Sequence, residues 1–269
     1  IGHVEHVLLG RVARFPAAGD IVHLDDPLAF PGGGGGVAFT QLARSAAEVH
    51  LFTAFGSGDA GEAAERAISA HGVVHAAHRA EAHPRAVVLV TPDGERTIVV
   101  VGAPLHPRRD DALPWDLLGT CDAAYFTGED PATLRAARAA RWLVVTARRR
   151  AALVRAGVRA DVVVGSARDP REASTLRDYP VAPAALVLTD GPRGGTVESA
   201  SGTARFAAPP SPPVTGSAYG AGDSFAAALT WYLASGAAVL EACARAGPHG
   251  AAVLTGLDPR LTQLPLPPP

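Results

Sequence analysis

Lysine, asparagine and methionine are all absent from this sequence of 269 residues, and cysteine occurs only twice. Without lysine the chain cannot carry a phosphate-binding loop of the Gly-Lys-Ser/Thr type, so any nucleotide site must be built in another way. The two cysteines, Cys121 and Cys243, lie far apart in the sequence. They predict reduced, buried thiols rather than a disulfide framework.

A large excess of charge of one sign is also missing, as is a long apolar run. The 24 basic and 26 acidic residues give a formal net charge of -2, which does not suggest binding to nucleic acid or to an anionic membrane. Glycine, proline or charged residues interrupt every apolar run before it reaches membrane-spanning length, and the N-terminus lacks a signal-peptide pattern. We therefore expect a cytoplasmic protein that binds neither nucleic acid nor membrane.

From residue 123 onward, predicted strands and helices alternate. The apolar segments predicted as strands are 123–127, 142–146, 161–164 and 185–189. The segments with helical spacing between them are 131–140, 148–156 and 170–177. This order predicts a mostly parallel sheet that is covered by helices on both faces and binds ligands at the carboxyl ends of its strands.

The first hundred residues have a different pattern. A first strand is predicted at 2–9 and a short one at 21–24, and the segments 86–91 and 96–101 predict a hairpin around Pro92-Asp93-Gly94. No crossover helix follows the two hairpin strands. They therefore indicate a small separate sheet.

The segment Tyr219-Gly-Ala-Gly-Asp-Ser-Phe225 precedes a run of good helix formers that ends at Gly236. A helix N-terminus next to glycines leaves backbone N–H groups free to bind an anion such as a phosphoryl group. Asp223 lies at the edge of such a site, where a carboxylate can accept a proton from an attacking hydroxyl. The pattern favours phosphoryl transfer to an alcohol, and the alternative is an ordinary turn with an acidic residue near the helix cap.

Two loops after predicted strands are candidates for binding phosphate. The loop from Thr189 to Gly194 could hold a nucleotide phosphate, with the Thr189 hydroxyl and Arg193 as donors, or it could be a plain hairpin turn. Ser166 and Asp169 could hold a phosphate oxygen or a magnesium-bound water, or they could form a helix cap before Pro170.

Five consecutive glycines, Gly32 to Gly36, precede a segment of helical spacing at 37–47. Such a run permits close contact between a ligand and the backbone, although a flexible linker has the same composition. The run also matches a loose dinucleotide fingerprint, but the preceding segment 23–30 makes a poor buried strand.

Four histidines between residues 71 and 83 raise the possibility of a metal site. Their spacings do not place them on one face of a strand, so surface histidines are the better interpretation.

Three motifs follow one another along the chain, namely the glycine run before an early helix, the Thr-x-Gly-x-x-Gly loop after a late strand, and the Gly-Ala-Gly-Asp-Ser-Phe segment. Their order resembles the PfkB (ribokinase-like) family of carbohydrate kinases. The resemblance implies a three-layer α/β/α fold with a mostly parallel central sheet in one domain over residues 1–269. It also implies a discontinuous β lid from about 10–30 and 84–104. The implied activity is ATP-dependent phosphorylation of a hydroxyl on a sugar or sugar-like small molecule, with ATP and Mg²⁺ as cofactors.

The resemblance also assigns roles to residues. Asp223 would be the general base, which also contacts the substrate, and Gly220, Ala221 and Gly222 would form the anion hole. The residues implied for the nucleotide are Ser166, Thr189, Asp190, Gly191, Arg193 and Gly194. Those implied for the substrate are Gly33, Gly34, Val37 and Glu129. Asp169 is a possible magnesium site acting through water.

Some positions depart from the family pattern. Val37 stands where the family usually has asparagine, Val7 and Leu8 stand where it has a sugar-binding aspartate, and Ser166-Ala-Arg-Asp169 replaces Asn-x-x-Glu. A nucleoside kinase of the same fold, or a catalytically weak sensor of nucleotide or sugar, therefore remains an alternative. A homodimer through the lid is a further expectation.

Overall fold

The computed structural model describes residues 1–210 and 213–268. The strands in these residues are β1 (Glu5–Arg11), β2 (Asp25–Gly32), β3 (His50–Ser57), β4 (Val73–Ala82), β5 (Arg85–Val90), β6 (Arg96–Val101), β7 (Ala123–Phe126), β8 (Trp142–Thr146), β9 (Val162–Ser166), β10 (Ala185–Thr189), β11 (Gly195–Ser199) and β12 (Gly202–Phe206). The α-helices are α1 (Gly33–Leu42), α2 (Asp59–Ser69), α3 (Pro131–Ala137), α4 (Arg150–Ala156), α5 (Ala221–Ala234), α6 (Val239–Val253) and α7 (Pro259–Thr262).

The central sheet has the strand order β12-β11-β10-β9-β8-β7, in which β7 to β10 are parallel. The first two residues of the chain extend this sheet. The Thr127 amide donates to the Ile1 carbonyl at 2.9 Å, and the Gly2 amide donates to the Phe52 carbonyl at 3.0 Å. The parallel pair β3-β4 therefore joins the sheet through residues 1 and 2.

Helices cover both faces of this sheet because its apolar side chains alternate in direction. Leu143 and Val145 of β8 are buried in a cluster with residues of α3 and α4, while Val144 is buried in a second cluster with residues of α5 and α6. Such continuous apolar strands are typical of a parallel sheet that is buried on both faces. The predicted three-layer α/β/α architecture is confirmed.

A second sheet, which we call the lid, has the order β2-β1-β5-β6. Strand β1 pairs antiparallel with β2 and parallel with β5, and β5 and β6 form the predicted hairpin. One face of the lid buries Val7, Leu9 and Val88 against Tyr219. The edge strand β6 leaves apolar side chains exposed, including Val99 at 52% and Val101 at 55%. The homodimer through the lid stays a prediction.

Three sequence predictions about secondary structure were wrong. Residues 21–24 form no strand. The strand lies instead in the neighbouring segment Asp25–Gly32, which is β2 and is mostly exposed, in agreement with its poor pattern for a buried strand. It lies at an edge of the lid, where proline and exposed polar residues are tolerated. Helix α1 begins at Gly33, four residues earlier than predicted, because the glycines pack closely on the backbone of Gly2 and His3.

The predicted helix at 170–177 is replaced by turns and a short 3₁₀ helix, Leu176–Asp178. The Asp169 carboxylate accepts the Arg171 amide at 2.9 Å, and Asp178 accepts the Thr175 amide at 2.7 Å. Such local bonds between side chain and backbone compete with helix formation.

Two further segments contain helix-breaking prolines. Pro248 lies inside α6, although a proline there would be expected to kink or break the helix. The segment 209–213, whose four prolines predict an irregular connection, lies partly outside the described residues.

Among the described residues, no helix is both long enough and apolar enough to cross a membrane.

Candidate active site

The candidate site lies where the carboxyl ends of β7 to β10 meet. Because these strands are parallel, the residues that follow them lie along one edge of the sheet. Thr127 follows β7 and Arg149 lies just after β8. Ser166 and Thr189 end β9 and β10 and are direct neighbours in the sheet. The structure thus brings the two predicted phosphate-binding segments side by side.

Helix α5 begins at this same edge. Its cap residue, Gly220, has a φ of +80°, a conformation that favours glycine, and no side chain caps the helix. The first N–H groups of a helix have no partner within the helix and carry its positive dipole end. The Ala221 N–H already donates to the Ala218 carbonyl at 3.3 Å, so the N–H groups of Gly220 and Gly222 are the ones in this turn that can bind an anion.

Asp223 lies in the first turn of α5 and is half-buried. Burial and the nearby Glu172 carboxylate raise the pKa of Asp223 from 3.8 to about 6, while Arg148 and Arg96 oppose this shift. A carboxylate with a pKa near the working pH is suited to accept a proton. The position and the pKa both fit the predicted general base.

The N-terminus of α1 faces Asp223. A Cβ atom added to Gly34 would lie 3.2 Å from Asp223 Oδ1 and 2.7 Å from Thr127 Oγ1. The preceding Gly33 donates its N–H to the Tyr219 hydroxyl at 2.9 Å. The predicted substrate residues Gly33 and Gly34 are therefore brought next to Asp223.

Val37 and Glu129 have different surroundings. Val37 is 1% exposed and packs in the core under the lid, with its carbonyl accepting the Gln263 side-chain N–H at 2.9 Å. Its side chain has a packing role, which is at odds with the predicted contact with substrate. Glu129 is exposed, and its Oε2 lies 3.6 Å from both His106 Nε2 and Arg149 Nη1.

The loop after β10 is held by its own side chains. Thr189 Oγ1 donates to the Gly165 carbonyl at 3.2 Å, and Arg193 donates two bonds of 2.7 Å to the Asp190 carboxylate. Gly191 and Gly194 have φ of +56° and +79°. The loop presents its backbone at the edge of the sheet beside Ser166, which fits the predicted nucleotide loop.

Asp169 is committed to ion pairs with Arg171 and Arg148, at 3.0 Å and 2.8 Å. Hydrogen bonds from Arg171 and Arg148 hold the pKa of Asp169 well below its usual range, against the effect of burial. Glu172 accepts the Ser166 amide at 2.9 Å and pairs with Arg148 at 2.5 Å. Both carboxylates fit a magnesium ion held through water better than one bound directly.

The described part of the chain contains no group of three or more His, Cys, Asp or Glu residues that could hold a metal ion. The histidines between 71 and 83 therefore form no such cluster there.

The family model of the pfkB family carbohydrate kinases matches residues 1–180. The chain belongs to the pfkB family. Enzymes of this family are phosphotransferases that act on carbohydrates or nucleosides. No curated protein sequence matches the chain.

Solved structures of the ribokinase-like fold resemble this pfkB-family chain over almost its whole length. The ribokinase of Giardia lamblia is 15% identical with a TM-score of 0.79, covering 98% of this chain and 94% of its own. The adenosine kinase of Sinorhizobium meliloti is 18% identical with a TM-score of 0.76, covering 96% and 94%. The Arabidopsis thaliana ribokinase, solved with ribose and ATP, is 15% identical with a TM-score of 0.68, covering 97% and 93%.

Sequence reasoning missed several polar residues at this end of the molecule. His3, Glu5, His106, Arg149 and Glu172 lie on four different segments and come together only in the fold. Two signals were available in the sequence. Glu5 is a lone acid in an apolar strand, and the arginines at 148–150 begin two residues after the end of a buried strand, at the edge where ligands bind.

The pH dependence of the reaction should report Asp223. If its pKa is about 6, we expect kcat/KM for the acceptor to be constant above pH about 7 and to fall tenfold per pH unit well below 6. A pH profile of initial rates between pH 4.5 and 9 measures this. Because folding raises this pKa, protonation of Asp223 favours the folded state, so the loss cannot come from unfolding through this group. A flat profile down to pH 5 would contradict the assignment.

Proposed function

We propose that this pfkB-family chain is an ATP-dependent kinase that phosphorylates a hydroxyl of a sugar or sugar-like small molecule. Asp223 accepts the proton of the attacking hydroxyl. The N–H groups of the Gly220-to-Gly222 turn stabilise negative charge on the transferred phosphoryl group.

One observation carries the proposal. The Asp223 carboxylate lies in the first turn of α5, between the N–H groups of that turn and the glycine N-terminus of α1. A base, an anion site and a narrow backbone-lined space are thereby combined within a few ångströms. In phosphoryl transfer, positioning and charge stabilisation of this kind supply most of the catalysis.

The nucleotide would bind along the loop Thr189–Gly194 with Ser166 beside it, because both segments lie at the edge of the sheet from which α5 begins. The residues that would assist Mg²⁺ are Asp169 and Glu172, acting through water. Bound Mg²⁺ would neutralise charge on the phosphates of ATP.

Release of ADP tests the proposal. We expect ADP formation from Mg-ATP to depend on an added acceptor when the chain is offered sugars, sugar phosphates and nucleosides in parallel. A coupled assay measures the rate, and mass spectrometry of the product shows which compound gains a phosphate. Turnover of a nucleoside alone would favour the second candidate, a nucleoside kinase, which the resemblance to adenosine kinase supports.

The sensor alternative predicts a different result. In that case, calorimetry would detect binding of ATP or a sugar, while no member of the panel would yield ADP above the rate without acceptor. That result would overturn the kinase proposal.

A further inference from the structure

Glu5 is a buried acid at one end of the inner face of the lid. Its side chain shares a face of β1 with Val7 and Leu9, and the residue is 7% exposed. Glu5 pairs with Gly32 across β1 and β2, and a Cβ atom added to Gly33 would lie 3.2 Å from the Glu5 nitrogen. A Cβ atom added to Gly34 would lie 3.2 Å from Asp223 Oδ1. The backbone of Glu5 and the carboxylate of Asp223 therefore flank one glycine turn.

Few groups of the protein neutralise the negative charge of the buried Glu5 carboxylate. Its one ion pair among the described residues is with His3 Nε2, at 3.6 Å, which is longer than a hydrogen bond. Burial and the Asp223 carboxylate raise the pKa of Glu5, against the effect of Arg149. A buried carboxylate of this kind needs hydrogen-bond donors, which hydroxyl groups of a ligand can supply.

His106 supplies a hydrogen-bond donor, whereas Glu5 supplies an acceptor. Arg149 Nη2 lies 3.1 Å from His106 Nε2, and since an arginine can only donate, His106 Nε2 must accept. The proton of the neutral ring is then on Nδ1, which is buried and has no partner in the described part of the chain. Burial and Arg149 lower the pKa of His106 to about 3, so the ring is neutral at pH 7. The His106 and His3 rings are in edge contact, with centroids 5.0 Å apart.

Two arginines of this region, Arg148 and Arg149, are engaged by neighbouring groups, whereas the exposed Arg96 of β6, whose charge also acts on Asp223, forms no ion pair among the described residues. Arg149 donates from Nε to the Thr127 carbonyl at 3.0 Å and from Nη2 to His106, and its Nη1 lies 3.6 Å from Glu129. Arg148 pairs with Asp169 and Glu172. An anionic group entering beside Asp223 would meet the Glu5 carboxylate with both of these arginines engaged.

We propose that Glu5 and His106 form the acceptor-recognition subsite and select an uncharged, polyhydroxylated acceptor over one that carries a phosphate. Acceptor hydroxyls donate to Glu5, and an acceptor oxygen receives the His106 Nδ1 proton. Repulsion from Glu5 excludes a phosphorylated sugar. This inference rests on the proposed function and specifies its substrate class.

Matched pairs of acceptors test the inference at pH 8. We would compare ribose with ribose 5-phosphate and fructose with fructose 6-phosphate, measuring both kcat/KM and binding by calorimetry. The kcat/KM of the neutral member should exceed that of the phosphorylated member by about 100-fold or more. This ratio is within the range reached by sites that form specific hydrogen bonds with their substrate. Preference for a phosphorylated member would overturn the inference and leave the kinase proposal standing.

Two variants test whether Glu5 and His106 are responsible for this acceptor preference. Glu5→Gln, which keeps the shape and removes the charge, should raise the KM for the neutral acceptor at least tenfold, leave the KM for ATP within twofold, and reduce the discrimination between pair members. His106→Phe should also raise the acceptor KM. His83→Phe is its control, because His83 is 4% exposed with an unpartnered Nε2 but lies outside the site.

The outcomes separate the two proposals. Unchanged acceptor KM in Glu5→Gln and His106→Phe would overturn the inference alone. Binding of neutral sugars that weakens in both variants, without any turnover, would support the subsite and overturn the kinase proposal. Absence of both binding and turnover for every pair in the wild-type chain would overturn both.

Discussion

The Asp223→Asn variant is expected to lose at least about 10²-fold in kcat while binding Mg-ATP as tightly as the wild-type chain. Asparagine keeps the size of the side chain but cannot accept the proton of the attacking hydroxyl, and general-base catalysis typically contributes 10²- to 10⁴-fold. The N–H groups of the Gly220 turn remain in place, so the loss should appear in kcat rather than in the KM for ATP. Steady-state kinetics and calorimetry with ATP measure the two effects.

Loss of the fold can be separated from loss of the base. Folding raises the pKa of Asp223 from 3.8 to about 6, so the charged carboxylate costs stability once the pH exceeds this range. The variant should therefore melt at the same temperature as the wild-type chain or higher at pH 8, with the difference vanishing below pH about 4. Asp122→Asn, a change at an exposed position, is the matched control. Full activity in Asp223→Asn would contradict the mechanism.

Much of the fold could be predicted from the sequence, because in the second half of the chain the pattern of each strand agrees with the sheet that the strands form together. The strands β7 to β10 are short and apolar, and β8 to β10 are rich in β-branched residues. Each pairs in parallel with its neighbour, so their pattern already implied a sheet buried on both faces. The Gly-Ala-Gly-Asp segment likewise indicated a helix N-terminus, and α5 begins within it.

The parts that sequence reasoning missed depend on tertiary contacts. Strand β2 begins with two aspartates and carries two prolines, and it forms because β1 offers it a partner at the edge of the lid. The extension of the central sheet by Ile1 and Gly2 depends on hydrogen bonds to Phe52, Tyr125 and Thr127, which are distant in the sequence. The Glu5 and His106 subsite joins segments a hundred residues apart. No periodicity within either segment could indicate it.

The Gly34→Ala variant is expected to lower kcat/KM for the acceptor by about 10- to 100-fold, since small displacements at a reacting centre can cost 10²-fold. The added methyl group would lie 2.7 Å from Thr127 Oγ1 and 3.2 Å from Asp223 Oδ1. Either the threonine or the base must then shift, and the methyl group takes space beside the carboxylate that the proposed hydroxyl needs. The KM for ATP should stay unchanged, because the nearest contacts of the added methyl group are with Thr127 and Asp223 and not with the loop Thr189–Gly194. Initial rates at varied acceptor and varied ATP concentrations measure kcat/KM for the acceptor and the KM for ATP.

Gly36→Ala is the matched control, since it makes the same change two residues further along the same helix. Its added Cβ would lie 3.7 Å from the Val4 methyl groups, which is ordinary van der Waals contact. Alanine favours a helix over glycine by roughly 1 kcal/mol, so both variants share that gain in the free energy of unfolding. Gly36→Ala should therefore keep its activity and melt higher, while Gly34→Ala loses activity despite the same gain in helix propensity. Equal activity of the two variants would mean that the acceptor does not bind between the N-termini of α1 and α5, because a methyl group beside Asp223 would then obstruct nothing.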